Sequence, residues 1–452
     1  MHGVGIVLGA IIGVGIFITP SDVATIAGSP GQALLLWFVG GVLAMAGALC
    51  MAEVGSRFPT SGGEIVALQK LLGPLPAFLF GWSLLTAINT GVLVIISLFA
   101  AQNLGVALGL DWGSTEISLV ATAAIAGLAI LNLLGVKNSA WMQTSTSAFK
   151  LLILGCLALF GLHALLSDPA TAAATADGLI PPTDVPQVPP TDIPSSDSPS
   201  RAPWIAGLAA TLFSYGGFHQ LTWVGGEIKD PQRTLPRAII IGVLLVIASY
   251  MAANWAYFSL LPFDQVANSS TVAADAIGTR LPSTGRVLTA AALCISAFGI
   301  ANSQILTTPR VYFALAKEGL FPKVLGNLGS GSDVPRAAIL LQAGLAISLL
   351  WIVGGKSMDR LVTGVVFIDW IFHILAVCGL FLARRHLKHV GETPKFLTPL
   401  WPLTPLIFII GGGTAMIATF WNPDVRQASI FGVAWIAVGV VVYALTKRQR
   451  TN

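Results

Sequence analysis

Phe213-Ser214-Tyr215-Gly216-Gly217-Phe218-His219 lies in the middle of an otherwise apolar run at about 203–225. A bilayer-crossing segment should be a continuous helix, because lipid offers no partner to a free N–H or C=O group. Two adjacent glycines oppose that continuity, each costing a helix interior about 1 kcal/mol relative to alanine. Backbone broken at membrane depth is tolerated where protein or a water-filled cavity supplies the missing hydrogen bonds. Transporters build binding sites this way, gathering half-helix ends and unwound carbonyls around a small polar solute. A second stretch of this kind, Gly13-Val14-Gly15-Ile16-Phe17, opens the chain. Together the two predict a solute site near the membrane midplane.

Composition agrees. Of 452 residues, 55% are hydrophobic and 10% charged, and the mean hydropathy is +0.81. Soluble domains carry about 25% charged residues. The apolar runs last about 20 residues instead of alternating over about 10, so an all-α polytopic membrane protein is expected, not an outer-membrane barrel. Twelve spans are read at approximately 3–26, 31–55, 75–104, 117–136, 144–166, 203–225, 236–261, 286–316, 335–355, 360–383, 399–419 and 428–446. Gly63-Glu64-Ile65-Val66-Ala67-Leu68-Gln69-Lys70 is expected to be a short interfacial helix. Cys50, Cys156, Cys294 and Cys378 all fall in apolar runs and read as small buried hydrophobes, with no disulfide framework. No basic region or cleavage site precedes the first span, so no signal peptide is expected; a missing upstream tail stays open.

Lysine and arginine set the orientation. With the N-terminus inside, Arg201, Arg280, Arg286, Lys356, Arg360 and Arg426 fall outside, seventeen others fall inside, and Lys150 is left within a span. Both termini are therefore expected in the cytoplasm. Residues 167–202 form a Pro-, Ala-, Ser- and Thr-rich external linker that divides the chain after span 5. Five spans on each side have opposite orientations, and each set begins with a glycine-broken helix. That predicts an inverted repeat, 1–166 against 203–383, with spans 11 and 12 in 384–452 outside it.

The first span contains Gly9-Ala10-Ile11-Ile12-Gly13-Val14-Gly15. Helix packing alone accounts for Gly5, Gly9 and Gly13, which are spaced as small-xxx-small, but not for Gly15. If the helix unwinds there, free N–H groups of the outer half can hold a carboxylate, helped by the helix dipole. Carbonyls around Phe213–Tyr215 can accept from an ammonium. The pair suits a zwitterion. The expected binding residues are Ile12, Gly13, Val14 and Gly15 with Phe213, Ser214, Tyr215, Gly216 and Gly217.

These stretches resemble the amino acid–polyamine–organocation superfamily, as do Gly226-Glu227-Ile228-Lys229-Asp230-Pro231, Ser296-Ala297-Phe298-Gly299-Ile300-Ala301-Asn302 and Lys317-Glu318-Gly319-Leu320-Phe321-Pro322. The closest likeness is to bacterial members of the L-type amino acid transporter family, along essentially the whole chain. The resemblance implies a five-plus-five inverted repeat that moves L-amino acids by alternating access. It implies that Phe213 gates the substrate, and that Lys150 replaces a sodium ion by tying broken span 1 to span 8 near Ser296. Snorkelling toward the near end of span 5 is the plainer role for Lys150. Phe218 and His219 depart from the tryptophan–asparagine pair common in animal members, which puts the transfer of those members' large-neutral preference in doubt. The external loop 109–116 has no cysteine, so no disulfide-linked glycoprotein subunit is expected.

Asp369 and His373 sit four apart on one face of span 10 and can pair with each other. With His219 they are also candidates for a proton relay, since ionisable groups inside membranes are usually functional. Glu53 and Glu227, near cytoplasmic span ends, are candidates for contacts with Arg57, Lys229 or Arg233. No HExxH, GxSxG or Walker pattern suggests an enzyme, and no cofactor, metal or nucleic-acid partner is expected. The expected function is secondary transport of neutral L-amino acids across the inner membrane, by exchange or proton symport. Cationic substrates would need an acidic residue at the site, and spans 1, 3, 6 and 8 offer none near their middles. A receptor that binds without transporting is the alternative from another class.

Overall fold

A computed structural model describes residues 2–167, 206–269, 271–281, 284–328, 334–353, 358–385, 393–421 and 423–451. All but the first residue of the expected external linker, with Arg201, lies outside them.

The described residues form α-helices throughout, joined by short turns. The first span is two helices, α1 (His2–Ile11) and α2 (Gly15–Ala27), bent by 44° at residues 12–14. Gly28, at φ +72°, closes α2 in the left-handed conformation that favours glycine. Ser29 then caps α3 (Pro30–Arg57), its hydroxyl accepting from Gln32 N–H with Pro30 in the first turn. Next come α4 (Gly63–Leu72), α5 (Pro74–Ser83), a π-helical turn at Leu84–Ile88, α6 (Asn89–Leu108), α7 (Ser114–Leu133) and α8 (Val136–Ser167). The sixth expected span is broken as well: α9 (Ala206–Ser214) stops, 215–219 turn, and α10 (Gln220–Trp223) follows. The chain continues through α11 (Pro231–Leu260), the short α12 (Phe263–Asn268) and α13 (Val272–Gly278), then α14 (Gly285–Lys317), α15 (Arg336–Val353), α16 (Met358–Arg385), α17 (Leu403–Trp421) and α18 (Pro423–Thr451).

Among the described residues nine helical stretches are long and apolar enough to cross a bilayer, ten if the bent α1–α2 pair counts as one. The expected spans 6 and 9 fall on the broken α9–α10 and the shorter α15. The outside of the bundle is apolar: Leu35, Phe38, Leu159, Leu166, Leu244 and Ile352 are all exposed. Soluble monomers rarely leave contiguous apolar patches beyond a few hundred Å², whereas these side chains face lipid at no cost. The protein is an all-α, multi-pass membrane protein.

The helices pair in a regular way. α2 packs on α9, α3 on α11, α6 on α14 and α7 on α15. In span numbers these are 1 with 6, 2 with 7, 3 with 8 and 4 with 9. The larger apolar core lies around α1, α3, α11 and α16, the smaller between α6, α7, α14 and α15.

One expectation is met and one needs correction. Gly63–Leu72 is a short helix as expected, with Glu64, Ile65, Ala67, Leu68 and Leu71 buried where it packs against α5 and α16. Of the cysteines, Cys50 and Cys294 are buried, but Cys156 is exposed on α8 and Cys378 only half-buried; all four are free thiols.

Candidate functional site

The two breaks meet. A Cβ on Gly15 would stand 2.9 Å from Ser214 Cα, and one on Gly217 would stand 2.7 Å from the Ala10 carbonyl oxygen. Gly217 also has φ +102°, which L side chains rarely adopt. Glycine at both places therefore lets one broken helix lie backbone-to-backbone on the other. Thr19 and Ser214 hydroxyls join the pair at 2.7 Å. The Tyr250 hydroxyl on α11 bridges them, 2.9 Å from Ile11 O and 3.1 Å from Ser214 O. Its ring packs against Trp37 and Tyr215.

A cavity of about 120 Å³ opens beside the breaks. Gly13, Val14 and Gly15 form one wall, Phe213, Ser214, Gly216 and Gly217 another. α2 begins at this wall with Val14 at its cap position and no side chain capping it. The first N–H groups of a helix have no partner within it and carry the positive end of its dipole. Leu84, Ile88 and Asn89, at the π turn of the third span, complete a mostly apolar side.

Ile12 and Tyr215 are not in the lining. Ile12 is fully buried with its carbonyl turned to α8, and Tyr215 is wedged against Trp37 and Tyr250. At a helix break consecutive residues point in divergent directions, so motif neighbours do not share a wall. Lys150 is fully buried, its Nζ donating to Ile12 O at 2.6 Å and Gly9 O at 3.2 Å. It does not snorkel. Its Cε lies close to Gly299 of α14, but the Ser296 hydroxyl makes no hydrogen bond to it. Lys150 thus holds α1 directly and reaches α14 only by packing.

His219, Gln220, Trp223 and Asp369 line the far end of the cavity. Asp369 Oδ2 is 3.2 Å from His373 Nε2, so these two residues do pair, though off hydrogen-bond geometry. The sequence reading missed the third member, Glu64. Its Oε1 lies 2.6 Å from His373 Nδ1, and its Oε2 accepts from Trp223 Nε1 at 3.2 Å. The chain leading into α4 is strapped to α10: Ser61 bridges to Val224, and Gly62 N–H donates to Trp223 O at 2.7 Å. His219 stacks on His373 with ring centroids 3.8 Å apart. Glu64, His219 and His373 could each offer one atom within a 4.8 Å group. A carboxylate stands against each nitrogen of the His373 ring, which favours protons on both and leaves no lone pair for a metal.

The other acids also have partners. Glu53 bonds Arg57 at 3.3 Å and also Arg384 and the Thr398 backbone. Glu227 pairs with Arg310 at 2.8 Å, not with the nearer-in-sequence Lys229 or Arg233.

Residues 4–445 match the family described as amino acid permease. The serine/threonine exchanger SteT of Bacillus subtilis (strain 168) is 29% identical over 447 residues, covering 98% of this chain and 95% of its own. The b(0,+)-type amino acid transporter 1 of Rattus norvegicus is 30% identical over 450 residues, 98% of this chain and 86% of its own. The cystine/glutamate transporter of Homo sapiens is 27% identical over 414 residues, 90% of this chain and 78% of its own.

Proposed function

Because the chain belongs to the amino acid permease family, a family of transporters and not enzymes, we propose that it carries neutral L-amino acids by alternating access, with the α-amino and carboxylate groups held at the two helix breaks. The observation that carries this reading is the backbone-to-backbone meeting of Gly15 with Ser214 and Gly217 with Ala10 beside the cavity. The uncapped start of α2 suits the carboxylate, and carbonyls at the end of α9 suit the ammonium. Phe213, half-buried at the cavity wall, is placed to act as a gate. Lys150 occupies the Gly9 and Ile12 carbonyls with its own ammonium, which supports a cycle independent of sodium. The pairing of each of spans 1–4 with the span five further on is the packing that a five-plus-five inverted repeat produces. We place both termini in the cytoplasm and the protein in the inner membrane, on the lysine and arginine asymmetry.

Exchange is favoured by the 29% identical serine/threonine exchanger; proton symport suits the buried ionisable groups at the cavity end. Cationic amino acids are a second reading, because Asp369 supplies the acidic lining residue that the first, third, sixth and eighth spans lack. Uptake of labelled amino acids into proteoliposomes, with and without unlabelled amino acid trapped inside, tests the whole reading. Uptake competed by serine, threonine or leucine but not by lysine or arginine supports neutral substrates. Competition by lysine and arginine that Asp369→Asn removes would replace them with cationic ones. No flux under either loading would refute transport.

A further inference from the structure

We propose that Glu64, His373 and Asp369, with His219 stacked on them, form a proton-binding site that couples substrate transport to the proton gradient. The inference rests on the transport reading above.

The cluster joins three elements far apart in sequence. Glu64 comes from α4, His219 from the turn before α10, and Asp369 and His373 from α16. Two carboxylates bracket one imidazole, Glu64 Oε1 at 2.6 Å from Nδ1 and Asp369 Oδ2 at 3.2 Å from Nε2. With a proton on both ring nitrogens, the trio still carries one uncompensated negative charge. Burying such a charge is expensive unless a further positive charge arrives.

Among the described residues, no neighbouring helix supplies that charge. On α3, Arg57 bonds Glu53, and Arg384 of α16 bonds the same carboxylate. On α14, Arg310 is held by Glu227. Lys70, at the other end of α4, is half exposed and faces Glu318. Arg233 and Arg237 lie in the first turns of α11, while α5, α6, α10 and α17 contain no charged residue. In α18 the charges lie at the two ends, at Asp424 and Arg426 and beyond Thr446, leaving the middle of the helix uncharged. The ring neighbours are Phe80, Phe218 and Trp370 around His373 and Trp223 beside His219.

The cluster is closed toward α4 and open toward the cavity. Glu64 and His373 are 0% and 2% exposed, whereas Asp369 is 21% exposed. Asp369 Oδ1 and His219 Nδ1 have no hydrogen-bond partner among the described residues, and both residues line the cavity. A proton entering through the cavity meets Asp369, the most exposed member of the cluster, first, and there it neutralises the trio. In the two-proton state the cluster no longer pulls on a substrate ammonium, so the substrate's charge is left to the helix breaks. In the one-proton state it competes for that charge. Protonation and correct seating of the substrate are thereby linked.

The test uses purified full-length protein in proteoliposomes, with the membrane potential clamped and serine, threonine or leucine as labelled substrate. An inward gradient of one pH unit should raise accumulation in empty vesicles, up to about tenfold for one proton per substrate. Glu64→Gln and His373→Gln should bring gradient-driven accumulation down to the no-gradient level. Counterflow at equal pH should persist in both, which shows that they fold and bind. Counterflow in the wild type without any response to the pH gradient would overturn the proton site and leave the transport reading intact. An unaltered gradient response in Glu64→Gln would also overturn it. Stoichiometric Co²⁺ binding that His219→Gln abolishes would reassign the group as a metal site. Absence of flux and counterflow in the wild type would instead refute the transport reading on which the inference stands.

Discussion

Tyr250→Phe removes one oxygen atom and nothing else from the joint between the two broken helices. The ring keeps its contacts with Trp37 and Tyr215 at centroid distances of 5.7 and 5.0 Å. What disappears is the hydroxyl bridging Ile11 O and Ser214 O, at 2.9 and 3.1 Å. A net hydrogen bond contributes about 0.5–1.5 kcal/mol, and an acceptor left buried without a partner costs about 1–3 kcal/mol. Two carbonyls share the one hydroxyl, so about 2 kcal/mol is a fair figure for the loss. Both carbonyls sit at the ends of the half-helices proposed to hold the substrate, so on that proposal most of the energy acts on the geometry of the bound state. About 2 kcal/mol corresponds to roughly thirtyfold in affinity. Equilibrium binding of labelled substrate to detergent-purified protein measures it, with thermal midpoints taken without and with substrate. The expected result is a weakened affinity and a reduced substrate-induced shift, with the ligand-free midpoint falling less. Affinity within threefold of wild type in a folded Tyr250→Phe protein would show that the breaks stay in register without the bridge.

Lys150→Ala should fold but lose at least about tenfold in uptake, because the Gly9 and Ile12 carbonyls lose a charged donor; wild-type flux would remove the lysine from the mechanism. Replacing external sodium by choline should leave wild-type uptake unchanged, and a strict sodium requirement would contradict the role given to that ammonium. Gly217→Ala puts a methyl 2.7 Å from Ala10 O at φ +102° and should cost about 1–3 kcal/mol in strain, read as a lower thermal midpoint and loss of uptake. Glu227→Gln breaks a pair whose arginine is almost fully buried; initial rates of uptake should change severalfold, and the exchanged pair Glu227→Arg with Arg310→Glu should restore part of the change.

What could be read from the sequence followed from contrast with its surroundings. Gly216 and Gly217 stand out because a serine, a tyrosine and a histidine flank them, whereas the largely apolar surroundings of Gly40-Gly41 and Gly411–Gly413 leave α3 and α17 unbroken. Lys150 stands out as the one cation left within a span. The breaks at 12–14 and 215–219 fall where those glycines predict. Gly15, which small-residue spacing left unexplained, is the one whose Cβ would strike Ser214 backbone. Glu64 carried no such contrast. It lies in an amphipathic segment between spans, next to Gln69 and Lys70, where a carboxylate looks solvated, and only the fold of 61–64 onto α10 buries it. Tyr250 was hidden for a related reason, since a tyrosine in an apolar helix looks the same whether it meets headgroups or two broken backbones. Ile12 and Tyr215 were placed at the cavity because their motif neighbours are there. A broken helix has no fixed periodicity from which to tell inward from outward. Glu227 pairs with Arg310 across 83 positions, and nearness in sequence does not reveal such a partner.

The strap between 61–64 and α10 constrains how the molecule can move. α10 is one turn long, follows the turn at 215–219 and is buried along its whole length. Three attachments, at Ser61, Gly62 and Glu64, tie its far end to the start of α4. The two elements are therefore expected to move together, and a displacement of α10 at Trp223 shifts Glu64 relative to the His373 ring 2.6 Å away.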